Sequence, residues 1–235
     1  MKRKKKIVFL DLWKTLVTSH CREPVWTLQK ALGHKLWTPD GGQEAFEPDD
    51  EFLRFCLTTP ISNPDDFVRE AAKRFGCSVT GRTMLEFEKI LKGEVGCVAR
   101  FEDVNETLEG LQQRGYKLGV ISNLWPFPAE RIFDVNGLGR FFPRENRIYS
   151  FEVRHRKPDP EIYRAACDRM GVSPEDAIMI GDNLEADVIG PKRIGMDASL
   201  IDRPGEFTAD SVPEGVHHLR SLTDILNILD QEEQS

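Results

Sequence analysis

Apolar positions along the chain follow two rhythms. Short unbroken runs recur at Lys6–Leu12 ("KIVFLDL"), Tyr116–Ser122, Arg147–Val153, Ala177–Asp182 and Asp197–Asp202. Runs of this length, continuous rather than alternating, predict parallel strands buried on both faces. Between them the spacing turns helical. "EDVNETLEGLQQRG" places Leu108 and Leu111 on one face and stops at Gly115. "DPEIYRAACDRMG" opens on Asp-Pro, aligns Ile162, Ala165, Ala166 and Met170, and stops at a glycine. "LEADVIGPKRIG" predicts a shorter helix after the fourth strand. Strand and helix in alternation predict an α/β fold, an open parallel Rossmann-like sheet flanked by helices, with ligands bound beyond the carboxyl ends of its strands.

One interval breaks the alternation. Nearly a hundred residues separate the first strand from the helix before the second. They contain "VWTLQKALGHKLW", "DEFLRFCLTT", "PDDFVREAAKRFG" and "GRTMLEFEKILKG", amphipathic patterns separated by Pro, Gly and Asp. A stretch this long is not a loop. It predicts an inserted helical domain over residues 18–100, with residues 1–17 and 101–235 forming the α/β core. An insertion leaving directly after Asp11 would lie over the carboxyl end of the sheet, where a lid belongs.

Composition narrows the setting. At 235 residues, 40% hydrophobic and 30% charged, the chain suits a globular domain carrying an insertion. A net charge of −7 argues against nucleic acid or an anionic membrane as partner. "MKRKKK" reads as a solvated tail. No apolar run approaches the ~20 residues of a spanning helix, and the N-terminal run is too short for a signal peptide. Cys21, Cys56, Cys77, Cys97 and Cys167 are odd in number, scattered and without a C-x-x-C pair, so they are expected to be thiols in a reducing compartment, by default the cytoplasm.

Four places of chemical interest fall at predicted strand ends: Asp11, Ser122-Asn123, Lys157, and "GDNLEAD" with Asp182 and Asp187. Singly these are a turn residue, a cap, a solvated lysine and another cap. Together they gather a nucleophile, a hydroxyl, a cation and two carboxylates at one end of one sheet.

In order and spacing these motifs resemble the haloacid dehalogenase superfamily of hydrolases, over almost the whole chain. "RKPDPEIY" and "IGDNLEADVIGPKRIGM" look like its subfamily with a helical cap after motif one. The resemblance implies that Asp11 is the nucleophile, that Ser122 and Asn123 hold the transferring group, and that Lys157 and the acids Asp182 and Asp187 complete the site. An aspartate attacking phosphorus would form an aspartyl-phosphate, splitting one hydrolysis into two easier steps. Ser122, amides near Asn123 and the Lys157 ammonium would meet the phosphoryl charge. Mg²⁺, a small hard cation, would be held by Asp11, Asp182 and the Trp13 carbonyl, with Asp187 holding a metal-bound water or orienting Lys157.

Trp13 departs from the pattern. Phosphatases of the family carry an aspartate there, as general acid and base; an indole does not titrate usefully. Three readings follow. The first is a Mg²⁺-dependent phosphatase of a small phosphorylated metabolite, with a good leaving group or an acid lent by the cap, for which His20, Glu23 and His34 are candidates. The second is a 2-haloacid dehalogenase, whose halide leaves without a proton; the retained metal-binding acids speak against it. The third is a non-catalytic protein that binds a phosphorylated ligand. Trp13 is also expected to pack between core and cap, with Trp125 across the cleft mouth.

Overall fold

The computed structural model describes residues 5–19, 23–34 and 48–234. The first four residues of the basic tail, His20 and Cys21 lie outside them. Strand β1 (Ile7–Leu10) is buried along its whole length and occupies the middle of the sheet. The chain then turns through Leu12–Leu16 before β2 (Val17–Ser19), so the insertion leaves from β2 rather than directly after Asp11. Four helices follow: α1 (Pro24–Leu32), α2 (Asp50–Thr58), α3 (Pro64–Arg74) and α4 (Gly81–Gly96). Strand β3 (Val98–Arg100) brings the chain back, pairing antiparallel with β2. This pair gathers both crossings of the insertion into one short ribbon.

Beyond it come α5 (Val104–Gln113), β4 (Lys117–Ser122), α6 (Ala129–Val135) and β5 (Arg147–Tyr149). The chain continues through α7 (Ser150–Val153), α8 (Pro160–Met170) and β6 (Ala177–Gly181). A π-helical turn at Leu184–Ile189 leads into α9 (Gly190–Lys192), then β7 (Asp197–Ile201), β8 (His217–Leu219) and α10 (Asp224–Gln234). The sheet order is β5-β4-β1-β6-β7-β8, and every pairing in it is parallel. Leu10 is level with Val120 on one side and Ile180 on the other, which puts the carboxyl ends of β4, β1 and β6 together.

The expected strand over Arg147–Val153 is shorter. Only Arg147–Tyr149 pairs with β4, and the chain coils into α7 at Ser150. The Ser150 hydroxyl accepts from Leu124 N at 3.0 Å and donates to Leu124 O at 3.2 Å, which ends the ladder with its polar groups satisfied. The helix expected after β6 is the π-helical turn running into α9.

Aromatic side chains fill the insertion and reach into it from the sheet. Phe67 and Phe87 of α3 and α4 meet Phe127 at 5.0 and 5.4 Å between ring centroids, and Phe87 meets Trp125 at 5.8 Å. Because Trp125 and Phe127 follow β4 directly, the loop at the end of that strand is bound into the core of the insertion. Two ion pairs tie α2 to the segment ahead of α8. Arg54 bonds both oxygens of Asp159, at 3.2 and 3.3 Å, and Arg156 bonds Asp50 at 2.5 Å. Cys56, Cys77 and Cys167 are free thiols, as expected, but Cys97 is disulfide-bonded. Linear spacing alone does not report that pairing. Among the described residues no helix is long and apolar enough to cross a membrane.

Candidate active site

The physical reason Asp11 stands where it does is the strand before it. Four apolar residues drive β1 into the centre of the sheet, and the Asp11 amide donates to Ile180 O at 2.9 Å, carrying the pairing one residue past the strand. Its carboxylate then meets Lys157, whose ammonium donates to Asp11 Oδ1 and Asp187 Oδ1, both at 2.6 Å. Lys157 is 4% exposed, Asp11 6% and Asp187 1%. The second oxygen of Asp187 accepts from Asn183 N at 3.0 Å, so both its oxygens are engaged within the protein.

Charge does not balance here. Ligand oxygens of Asp11, Asp182 and Asp187 all lie within 4.8 Å of one another, against one buried ammonium. Burial alone would pull that ammonium down, but Asp11 and Asp187 outweigh it and hold Lys157 above its ordinary range. Burial pushes the Asp11 carboxyl up to about 7, with Asp187 and Asp182 adding to the rise against the pull of Lys157. Burial and Asp187 push Asp182 up to about 6, opposed by Lys14 and Lys157. Crowded carboxylates that resist ionising are short of positive charge, and a hard divalent cation supplies it. The donor set, all carboxylate oxygen, fits such an ion.

Gly181 makes the crowding possible. A Cβ at this position would lie 2.2 Å from Asp187 Cγ. Gly181→Ala is therefore expected to displace Asp187, and with it Lys157, lowering kcat/KM by ~10²-fold, the scale of a 1 Å misplacement. Steady-state kinetics beside a thermal melt will separate this from unfolding; unchanged kcat/KM would show that Asp187 does not position Lys157.

Motifs two and three are locked to each other. Asn123 Nδ2 donates to Lys157 O at 2.9 Å, and Lys157 N donates to Asn123 Oδ1 at 2.7 Å, next to the cis Lys157–Pro158 peptide. The Asn123 side chain is thus spent on this clamp, leaving its backbone amide as the donor available to a bound group. Ser122 is fully buried, and its Oγ has no hydrogen-bond partner among the described residues. A buried hydroxyl without a partner is costly, and an incoming acceptor relieves it.

Beside this cluster opens a cavity of about 390 Å³, lined by Trp13, Lys14, Asn123 and Trp125 from the sheet side and by Glu23 and Glu94 from the insertion. Trp13 and Trp125 share it, as expected. Glu23 caps α1, its carboxylate accepting from Val25 N at 3.2 Å and from Trp26 N. His34 packs among rings of the insertion, 4.8 Å from Phe75 and 5.7 Å from Phe52. Glu94 was not legible as a candidate. It is 5% exposed, and its two oxygens share one donor, Trp125 Nε1, at 3.1 Å each. Burial pushes its carboxyl up to about 8, the Trp125 hydrogen bond opposing and Glu23 assisting. A signal exists: Glu94 stands seven residues after the buried Phe87, hence on the inward face of α4.

Residues 5–195 match the family model for haloacid dehalogenase-like hydrolases. Pyrophosphatase PpaX of Bacillus velezensis is 38% identical over 133 residues, which is 56% of this chain and 60% of that protein. A glyceraldehyde 3-phosphate phosphatase of Methanopyrus kandleri is 34% identical over 137 residues, 55% of this chain and 57% of the other. The chain thus matches less than two thirds of the length of these relatives. The crystal structure of a HAD phosphatase from Thermococcus onnurineus superposes with a TM-score of 0.61 at 26% identity, covering 95% of this chain and 97% of the other.

Proposed function

The chain belongs to the haloacid dehalogenase-like hydrolases, and from that premise we propose that it is a Mg²⁺-dependent phosphohydrolase of small phosphorylated metabolites that works through an aspartyl-phosphate on Asp11. The observation that carries this reading is the buried Asp11–Lys157–Asp187 chain of 2.6 Å bonds at the carboxyl end of the sheet, with the unpartnered Ser122 hydroxyl on the neighbouring strand.

Lys157 holds Asp11 Oδ1, which leaves Oδ2 to form the bond to phosphorus. As that bond forms, the bond from phosphorus to the leaving oxygen breaks and the oxygen departs with the electron pair. Ser122 Oγ, the Asn123 amide and the Lys157 ammonium meet charge on the phosphoryl oxygens. Water then attacks phosphorus, its proton passing to the departed oxygen, while the bond from phosphorus to Asp11 Oδ2 breaks and returns its electron pair to the carboxylate. Asp11, Asp182 and the Trp13 carbonyl would hold Mg²⁺, which when bound neutralises the carboxylates and the phosphate. Asp187, with both oxygens engaged, orients Lys157. Residues 18–100 act as a cap over the core of residues 1–17 and 101–235, excluding water while the phosphoryl group moves.

A dehalogenase reading would bring a haloacid's own carboxylate against three more, which the charge count disfavours. Chelator is expected to suppress hydrolysis of acyl and aryl phosphates, and Mg²⁺ to restore it. Mg²⁺ should also raise the melting temperature without substrate, by the equivalent of ~2.7 kcal/mol at a hundredfold excess over its Kd. Full turnover in chelator, or halide release from 2-haloacids, would sink the reading.

A further inference from the structure

The cavity beside Asp11 has a composition that the phosphoryl chemistry does not require. Its walls bring Val25, Leu53, Leu57 and Leu124 together with two tryptophans, Trp13 and Trp125. Into this apolar space open two carboxyl groups, Glu94 and Glu23. They are not equivalent. Glu23 is served by two backbone amides of α1. Glu94 is buried to 95% and, among the described residues, has a single donor divided between its two oxygens. A buried carboxylate ordinarily gathers two or three donors or a cation. The cation among the lining residues, Lys14, comes from the motif-one turn and acts on Asp182, pulling its carboxyl down. With its carboxyl pushed up to about 8 by burial, with Glu23 adding to the rise, Glu94 ionises at neutral pH only beside a partner of opposite charge, and none of the described residues supplies one.

The cavity borders Asn123, next to Ser122, and Trp13 and Lys14, just beyond Asp11, and so offers room for the departing part of a substrate bound at Asp11. We propose that this leaving group carries an ammonium group and that Glu94 anchors it. The proposal rests on the phosphohydrolase reading of the Asp11 site and names its substrate class: phosphate esters of amino alcohols. An ammonium beside Glu94 would supply the missing charge and hydrogen bonds, while its methylenes lie against leucine and valine. The two indoles suit the same ligand, because aromatic walls attract cations that have left water. A neutral alkyl chain would fill the same space and leave Glu94 as underserved as before.

The test uses matched pairs: 2-aminoethyl phosphate against propyl phosphate, and 3-aminopropyl phosphate against butyl phosphate, with acetyl phosphate as a substrate that tests the chemistry alone. The wild-type protein with Mg²⁺ should show kcat/KM some ~10–10²-fold higher for each amine than for its alkyl partner, the range of a charge-assisted hydrogen bond. Glu94→Gln should collapse that ratio toward one. The same pairs titrated calorimetrically into the Asp11→Asn protein should give the same preference in Kd. This measurement needs no turnover, so it stands even if acetyl phosphate is not hydrolysed and the phosphohydrolase reading falls. Equal Kd values within each pair would overturn the ammonium site. So would a Glu94→Gln protein that keeps the amine preference. A loss in Glu94→Gln that instead tracks leaving-group basicity, the same for amine and alkyl, would make Glu94 a proton donor and overturn it too.

Discussion

Asp11→Asn should silence the enzyme, by between roughly 10⁴- and 10⁶-fold in kcat, the range over which removing a member of a covalent catalytic unit acts. The amide has the shape of the acid but is a poor nucleophile, and no neighbouring group can attack in its stead. Lys157, a protonated ammonium giving two of its three N–H groups to Asp11 and Asp187, has no lone pair to attack with, Asp187 has both oxygens bound, and Ser122 is buried on the adjacent strand. The fold should survive. Three carboxylates crowd one ammonium, so replacing one by a neutral amide relieves repulsion, and the metal-free variant should melt no lower than the parent. Burst kinetics on an aryl phosphate, or capture of a phosphorylated protein at low pH, will report the intermediate in the parent and its absence in the variant. Undiminished turnover by Asp11→Asn would end the covalent mechanism.

The second large effect concerns Trp13. With no titrating side chain at that position, hydrolysis should depend steeply on how well the leaving group departs without a proton, so acyl and aryl phosphates should far outrun simple alkyl phosphates. Trp13→Asp should then speed alkyl phosphates selectively, by up to the ~10²–10⁴ that a general acid supplies. Two features of the site pull the gain downward. Trp13 is half-buried against the hydrophobic core, so the smaller side chain leaves a hole. A fourth carboxylate near Asp11, Asp182 and Asp187 also raises the demand for cation. The measurement is a plot of log kcat/KM against leaving-group pKa for both proteins. A flat wild-type plot would show that another group already delivers the proton.

What could be read from the sequence was whatever the chain states locally. Unbroken apolar runs marked β1, β4, β6 and β7, because a strand buried on both faces has no polar alternation to hide it. Asp11, Ser122, Lys157, Asp182 and Asp187 were legible because each follows such a run or belongs to a motif of fixed order. Three-residue pairings such as β2–β3 and β7–β8 were not, since three residues carry no periodicity. The fate of Asn123 was hidden for a different reason. Its side chain serves Lys157, 34 residues away, and only the fold brings the two together. Glu94 was the costliest omission. In "EKILKGEVG" it reads as one more solvated acid, and its burial depends on Trp125 arriving from the far side of the cavity.

The two ion pairs that join α2 to the segment around Lys157 expose the link between the insertion and the site to the surrounding solution. Arg156 and Asp159 bracket Lys157 in sequence, and their partners Asp50 and Arg54 belong to the insertion. Each is a surface pair worth about 0–1 kcal/mol, and the screening length shrinks from ~8 Å at physiological salt to ~3 Å at 1 M. Under the proposed role of residues 18–100 as a cap, its closure over the site would be set partly by dissolved ions rather than by substrate. Rates gathered in different buffers would then compare how often the cleft is shut, and a ranking of substrates has meaning only at one fixed ionic strength.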